Sequence, residues 1–439
     1  MVKLDWAAAY KQIRVQSADI RQQFFYWAGR YFAELCLIFG GGSSVGIYDR
    51  VAKRVKYAAT KLSYMPPEQV QQIIDDVCAA GTKEEVTRFY RKYREIAKDC
   101  NIQLASESDK DKAFEACQEG VVFGVVYNTA TFTCWLREDK LSRLMEMLDQ
   151  ITDNPDQTIH YMKRVAGKVV AYKMLVPHGK FYMGQLIRMA GLYDPEKESM
   201  NKVIRVSDWA RSEAYFWRVM LPFCGKRIIL PNPDFHLPPS AIHAYTDAAG
   251  GSTTTIGMGC GAVMGSWWAY LPWGTVINGG SKYRDGKMFK HKMSAWELVG
   301  PLVVVSAGAD LLRNKSVVIP VDNIGSVAVF KKGWCSSCML ATTVSLAIQE
   351  VSAAINCTVE IVKIRRCIDK GTKAADAISK GQIRKFRTLV PEADTAPARI
   401  PAELVRWINN PREDRHLGER IVRELGFKTS MLGSHKMYV

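Results

Sequence analysis

No stretch of this 439-residue chain reaches the ~20 consecutive apolar residues that span a bilayer. The longest apolar run, near Pro301-Leu302-Val303-Val304-Val305, is interrupted by Ala, Gly and Asp310, so no membrane partner is expected. The N-terminus acquires Asp5 before an apolar core could form, which argues against a secretory signal peptide. An intracellular location, cytoplasmic or nuclear, is the resulting expectation. Internal repeats and low-complexity tracts are also missing. Among 11 cysteines only Cys335-Ser336-Ser337-Cys338 has zinc-like spacing, and neither a second such pair nor a suitably spaced His pair follows it. Most others, such as Cys36, Cys78 and Cys260, sit beside apolar residues, as buried reduced thiols do. Acids are scarce: 44 against 60 Lys and Arg, a formal net charge of +16 that favours a polyanionic partner.

What the chain does hold is enough apolar residue for several cores: 48% hydrophobic and 10% aromatic, over a length suited to two or three domains. Helical spacing marks 47–59 and 83–99, then 136–150 and 156–172. Pro231-Asn232-Pro233 to Pro238-Pro239 is the best candidate for a domain joint. Beyond it strands and helices alternate over 242–390, the order expected for a small α/β layer fold. A tail from 391 opens with Pro391, Pro397 and Pro401 and becomes a charged helix-like segment around 402–425.

Four acids in this second half carry the chemistry. Tyr245-Thr246-Asp247 reads as the end of a buried strand, and Val317-Val318-Ile319-Pro320-Val321-Asp322 as another. Glu297 projects from a helical stretch, and Asp376 lies early in a second one, within Ala374-Ala375-Asp376-Ala377-Ile378. Four carboxylates at one point resist ionisation unless cations neutralise them. Two divalent metals are the usual solution, and they clamp both oxygens of a phosphodiester in displacement. Around Asp376, nine Lys and Arg against two acids from Lys363 to Arg387, Arg365 and Arg366 among them, form a cationic surface suited to a phosphate backbone. Lys163, Arg164 and Lys168 form a second basic helical face that suits a duplex backbone. Asn323 reads best as a helix N-cap.

The first 130 residues add three ordered segments: Leu4-Asp5 running into Tyr10, the turn Phe39-Gly40-Gly41-Gly42-Ser43-Ser44 before a helix, and Ile74-Asp75-Asp76-Val77. In order, these resemble the palm motifs of reverse transcriptases, especially those of DIRS-like retrotransposons. The finer match lies in 42–50 and 75–81. The four later acids resemble the ribonuclease H domain of the same retroelement enzymes, with Gly250-Gly251 and the Ala375–Lys380 stretch as further signatures. The resemblance runs from about residue 3 to about residue 390.

The resemblance implies an α+β multi-domain chain: a partial polymerase palm without fingers over 1–130, a helical thumb and connection over 131–235, a ribonuclease H-like α/β domain over 236–390, and a tail over 391–439. It implies that Asp5 and Asp75 hold two Mg2+ ions, or Mn2+, with Asp76 completing the cluster. Tyr10 would be the steric gate, Gly40 part of the turn beneath template and nucleotide, and Phe123-Gly124 the primer grip. Asp247, Glu297, Asp322 and Asp376 would hold two further metals for hydrolysis of RNA in a hybrid. Ile73 stands where the family carries Tyr or His, Val45 where it carries Pro, and no His precedes Asp376 in the 363–366 region. The implied partners are RNA template, DNA primer and RNA–DNA hybrid, with other retroelement proteins beyond them. Because the fingers would lie upstream of Asp5, RNA cleavage rather than RNA-directed DNA synthesis is the expected activity. The alternatives are a non-catalytic nucleic-acid-binding remnant and a nuclease or transposase sharing the ribonuclease H fold.

Overall fold

The structure, a computed structural model, describes residues 1–176, 178–191, 199–223, 227–228, 241–249, 258–273, 293–335, 337–365 and 369–427. The chain is mixed helix and sheet and divides into two compact units. One comprises Met1–Ser142 with Cys224–Pro233, the other Arg143–Phe223 with Asp234–Val439. The proline-rich joint at 231–239 lies outside the described residues, as do Gly250, Gly251 and Arg366.

The first unit begins with β1 (Val2–Asp5), buried along its whole length. It pairs antiparallel with β5 (Asp76–Ala79), which also pairs with β4 (Val70–Ile73). The β4–β5 connection is a tight turn at Ile74-Asp75, with Ile74 at φ 52°. Two helices cover this sheet, α1 (Ser44–Leu62) and α2 (Lys83–Asp99). The sequence sets the start of α2 sharply. Thr82 and Glu85 form a reciprocal capping box at its start, and Val86, Phe89, Tyr90, Tyr93 and Ala97 recur at helical spacing on the buried face. Leu4, Trp6, Tyr48, Phe89 and Tyr93 join one core, each large side chain contributing about 1.5–3 kcal/mol by burial.

Two further sheets belong to this unit. A two-stranded hairpin joins β2 (Phe24–Trp27) to β3 (Arg30–Ala33). A four-stranded antiparallel sheet has the order β11-β8-β7-β6, from β6 (Glu119–Val122), β7 (Val125–Asn128), β8 (Thr133–Leu136) and β11 (Arg227–Ile228). Phe123 and Gly124, at φ 52° and 81°, make the two-residue turn between β6 and β7. Paired left-handed residues match the twist of such a hairpin.

α3 (Glu138–Asp153) comes next in the chain, and in the second unit α4 (Ile159–Tyr172) packs on α5 (Gly184–Ala190), which packs on α6 (Asp208–Phe223). The buried Glu213 of α6 accepts the Gln185 and Leu186 amides at 2.9 and 3.0 Å. Strands β9 (Asp156–Thr158) and β10 (Val203–Arg205) pair beside them. Two three-stranded sheets follow. β13 (Tyr245–Ala248), β14 (Gly259–Met264) and β15 (Trp267–Pro272) are antiparallel, whereas β12 (Ile242–His243), β16 (Ser316–Val321) and β17 (Thr358–Lys363) are parallel. Only Ala244 separates β12 from β13, and its amide donates to Val318 O at 3.0 Å. Residues 242–248 are therefore one strand shared by both sheets.

Helices supply the parallel crossovers. α7 (Met293–Ala307) lies between β15 and β16 and is apolar on almost every side, as a buried helix is, with Glu297 its one charged residue. α8 (Ile324–Lys332) and α9 (Met339–Ala354) lead from β16 to β17, and α10 (Lys370–Ser379) and α11 (Ile383–Leu389) follow. Asp376 sits toward the C-terminal end of α10, not early in it as the pattern suggested.

The charged tail is two helices, α12 (Ala402–Asn409) and α13 (Leu417–Glu424), whose apolar faces complete the core of this unit. Glu424 accepts the Ala402 and Glu403 amides, which caps one helix from the other. Among the described residues no helix is long and apolar enough to cross a membrane.

Candidate functional site

In the first unit the strand register places Asp5 directly opposite Asp76, and the Trp6 amide donates to Asp75 O at 3.3 Å. Like charges face to face on neighbouring strands oppose sheet formation unless neutralised. Lys3, on the same face of β1, lies 3.0 Å from Asp76 Oδ1 as an ion pair not aligned for a hydrogen bond. Its Nζ donates to Asp111 O at 2.7 Å. Burial and then Asp76 raise the Asp5 carboxyl to about 6; Asp75 adds to this, while Lys112 and Lys3 oppose it.

Tyr10 is buried, edge-on to Tyr48 at 5.3 Å and to Phe39 at 5.0 Å between ring centroids. The Tyr48 hydroxyl is buried without a hydrogen-bond partner; burial first, then Tyr93, Asp75 and Asp5, hold it in the protonated form. Gly40, at φ 84°, turns the chain ahead of α1 in a conformation that β-branched or bulky residues resist. Tyr48 and Lys3 went unnoticed as site residues. Lys3 carries a legible signal, since it stands two places from Asp5 and so shares its face.

The second group of acids is built by register and by two glycines. Ile242 pairs with Val317 and His243 with Val318. Carried forward residue by residue, that parallel register sets Asp247 level with Asp322. Gly261 is the cross-strand partner of Asp247. A side chain there would come within 2.6 Å of Ala375 O, so its absence lets α10 lie directly on β14. Ser379 of α10 consequently reaches Asp247, its hydroxyl 2.5 Å from Oδ2 and 2.9 Å from Asp376 O. Gly300 does the same for α7: a Cβ there would meet Thr246 Cβ at 2.6 Å.

Glu297, on α7 and only 2% exposed, and Asp247 both act on the buried Cys260 thiol, which burial first and then these two carboxylates raise well above its ordinary range. Asp376 is paired with Lys380 at 2.6 Å. Lys363, opposite Val321 in the ladder, donates to the Asp322 carbonyl. Asn323 caps α8 by accepting the Ser326 amide at 3.1 Å.

Ser379 and Lys380 lie inside the stretch whose pattern was legible, yet nothing in the sequence singled them out as partners of the acids. Lys163, Arg164 and Lys168 lie on the side of α4 away from its buried Met162, Val165 and Val169. Arg365 is exposed just after β17.

The donors in both groups are carboxylate oxygens, the chemistry that hard cations such as Mg2+ and Mn2+ prefer. Among the described residues, however, no three acidic, His or Cys side chains converge as a ready-made metal-binding group. The fit is therefore one of donor type, and the side chains would have to draw together around an ion.

No family model matches the chain, and no curated protein matches it. Among solved structures it is similar to the foamy viral protease-reverse transcriptase dRH in complex with ds DNA, with a TM-score of 0.39 and 10% identity, over 84% of this chain and 57% of that one. It is similar to the foamy viral protease-reverse transcriptase with dsDNA (TM-score 0.38, 10% identity, 84% and 68%) and with an RNA/DNA hybrid (TM-score 0.31, 10% identity, 88% and 67%). The chain thus spans 57% to 68% of the length of these proteins.

Proposed function

We propose that this chain is a retroelement reverse transcriptase–ribonuclease H-like nucleic-acid enzyme, of DIRS-like affinity, whose second unit cleaves the RNA strand of an RNA–DNA hybrid. The observations that carry the reading are the parallel register of β12 on β16, which counted forward along the two strands leads to Asp247 and Asp322, and α10 held against β14 at Gly261. In this reading Asp247, Glu297, Asp322 and Asp376, carried by two strand ends and two helices from distant parts of the sequence, would draw together around the ions.

These four would hold divalent Mg2+, or Mn2+; such ions, when bound, neutralise the scissile phosphate and activate water. The chain's own contribution is positional. Ser379 fixes the Asp247 carboxylate through a short hydrogen bond, and Lys363 ties the end of β16 to β17. Arg365 and the lysines of α10 would attract the phosphate backbone to this end of the sheet.

In the first unit Asp5, Asp75 and Asp76 would form the nucleotidyl-transfer centre, with Tyr10 beside it and Phe123-Gly124 gripping the primer. Asp322→Asn tests the reading: hybrid cleavage is lost while the far-ultraviolet spectrum and melting temperature stay as they were. Unchanged cleavage by a folded variant removes Asp322 from the site. A binding-only remnant is the second reading, and the Lys380 ammonium on Asp376 favours it, since that cation occupies the carboxylate an ion would need.

A further inference from the structure

The β2–β3 hairpin has no role in the chemistry above, and its surface is unusual. Six of its eight strand residues are aromatic, Phe24, Phe25, Tyr26, Trp27, Tyr31 and Phe32, and all six are exposed, Tyr31 by 79% and Trp27 by 68%. Among the described residues both faces of the ribbon are exposed, and neither strand pairs with a third. A turn at Ala28-Gly29, with φ 47° and 76°, closes the tip. The base is stapled: the Glu34 amide donates to Gln23 O, Val15 to Leu35 O and Leu37 to Ile13 O, and the buried Leu37 belongs to the unit's core. It is a firmly rooted arm, and a patch of this kind marks an interaction site.

The occupant can be argued from chemistry. The strands carry no aliphatic side chain beyond Ala33, so they offer flat rings and not the branched residues that interlock with a protein partner. Phe25 and Phe32 stack within 18° of parallel at 5.5 Å, and Tyr26 meets Tyr31 at 5.0 Å across the strands. Trp27 also tilts against Phe32 at 6.4 Å, and these five rings remain 38% to 79% exposed. Arg14, Arg21 and Arg30 are exposed around the arm, and no carboxylate among the described residues pairs with them. Rings that accept any base by stacking, set among cations that attract phosphate, are the two components of single-strand recognition.

We propose that the β2–β3 hairpin is a stacking platform for unpaired bases of single-stranded nucleic acid, the strand ahead of or behind the duplex. The proposal shares with the functional reading only the class of partner. The test uses the full chain, a (dT)12 oligonucleotide, the same oligonucleotide with abasic sites, and a blunt RNA–DNA hybrid, with binding read by anisotropy and Trp fluorescence. The proposal expects (dT)12 to quench the protein's fluorescence and to bind at least about 10-fold more tightly than the abasic strand. It expects Trp27→Ala with Tyr31→Ala to weaken (dT)12 binding by roughly 10- to 100-fold while hybrid binding and the melting temperature hold.

Equal binding of (dT)12 by the folded variant overturns the platform and leaves the nucleic-acid reading intact. Failure of every nucleic acid to bind overturns that reading as well. Concentration-dependent self-association of the parent chain that the variant abolishes, with (dT)12 binding unaltered, assigns the arm to a second copy and also overturns the proposal.

Discussion

The two acidic groups of this protein solve the same electrostatic problem differently. In the first unit Asp5 faces Asp76 with Asp75 next along the turn, and Lys3 is the cation in contact. Burial first, and then Asp76, push the Asp5 carboxyl up to about 6. In the second unit Asp376 has Lys380 and Asp247 has the Ser379 hydroxyl. The first cluster answers its charge with Lys3, Lys112 and a proton held more firmly on Asp5, whereas the second draws the Ser379 hydroxyl and the Lys380 ammonium from the end of one helix. The comparison can be broken at several points.

The largest expected effect concerns binding. If the surface around the second cluster contacts six to ten phosphates, hybrid affinity falls by ~10³–10⁵ between 50 and 200 mM salt. A flat response in anisotropy titrations would remove the cationic surface from the account.

Next comes Gly261→Val, which brings side-chain carbon against Ala375 O and Ser379 N, where a Cβ alone lies at 2.6 and 2.7 Å. Prying α10 from β14 costs roughly 1–3 kcal/mol or more, measured by urea denaturation, and separates Ser379 from Asp247. Gly265→Ala makes a useful contrast. Its Cβ would meet nothing within 4 Å, so only the strain of φ 61° is added.

Asp5→Asn sharpens the comparison from the other side. The Asp5 pKa is raised in the folded state, so the folded protein holds that proton more firmly than the unfolded chain. Stability from this group is full below the unfolded carboxylate range and declines as pH rises through about 6. Asparagine removes that penalty. The variant should be more stable by about 1–2 kcal/mol at pH 7, after allowance for solvent screening, and no more stable at pH 4. Thermal melts across that range decide it; equal gains at both values would rule out the charge effect.

The smallest effect is expected from Lys380→Met. Its pair with Asp376 is partly exposed and worth under about 1 kcal/mol. Loss of the ammonium should lower the Mg2+ concentration giving half-maximal cleavage by a few-fold, and an unchanged midpoint would mean that Lys380 does not compete with the ion.

How legible all this was depends on how local the cause is. The 83–99 helix was readable to the residue because Thr82, Glu85 and an apolar stripe define it without help from elsewhere. The Phe123-Gly124 turn and the hairpin at Ile74-Asp75 were equally local. The tail was readable as helical, but not as core, since its contribution depends on Leu404, Trp407, Leu417 and Ile421 meeting the same cluster as distant strands. The aromatic arm escaped notice because a ribbon exposed on both faces has no alternation of apolar and polar residues. The identities of the four acids were visible in sequence. What Gly261, Gly300, Ser379 and Lys380 do around them was not, because each acts across an interface between elements that no spacing encodes.

The most direct test of the central claim is one gel with the intact chain. Primed RNA template is incubated with Mg2+ and dNTPs, with primer and RNA carrying different labels. RNA cut within the hybrid region, at sites set by the DNA strand, is the predicted result. Intact RNA from folded protein that still binds the hybrid would contradict the claim and leave a protein that holds nucleic acid without cutting it.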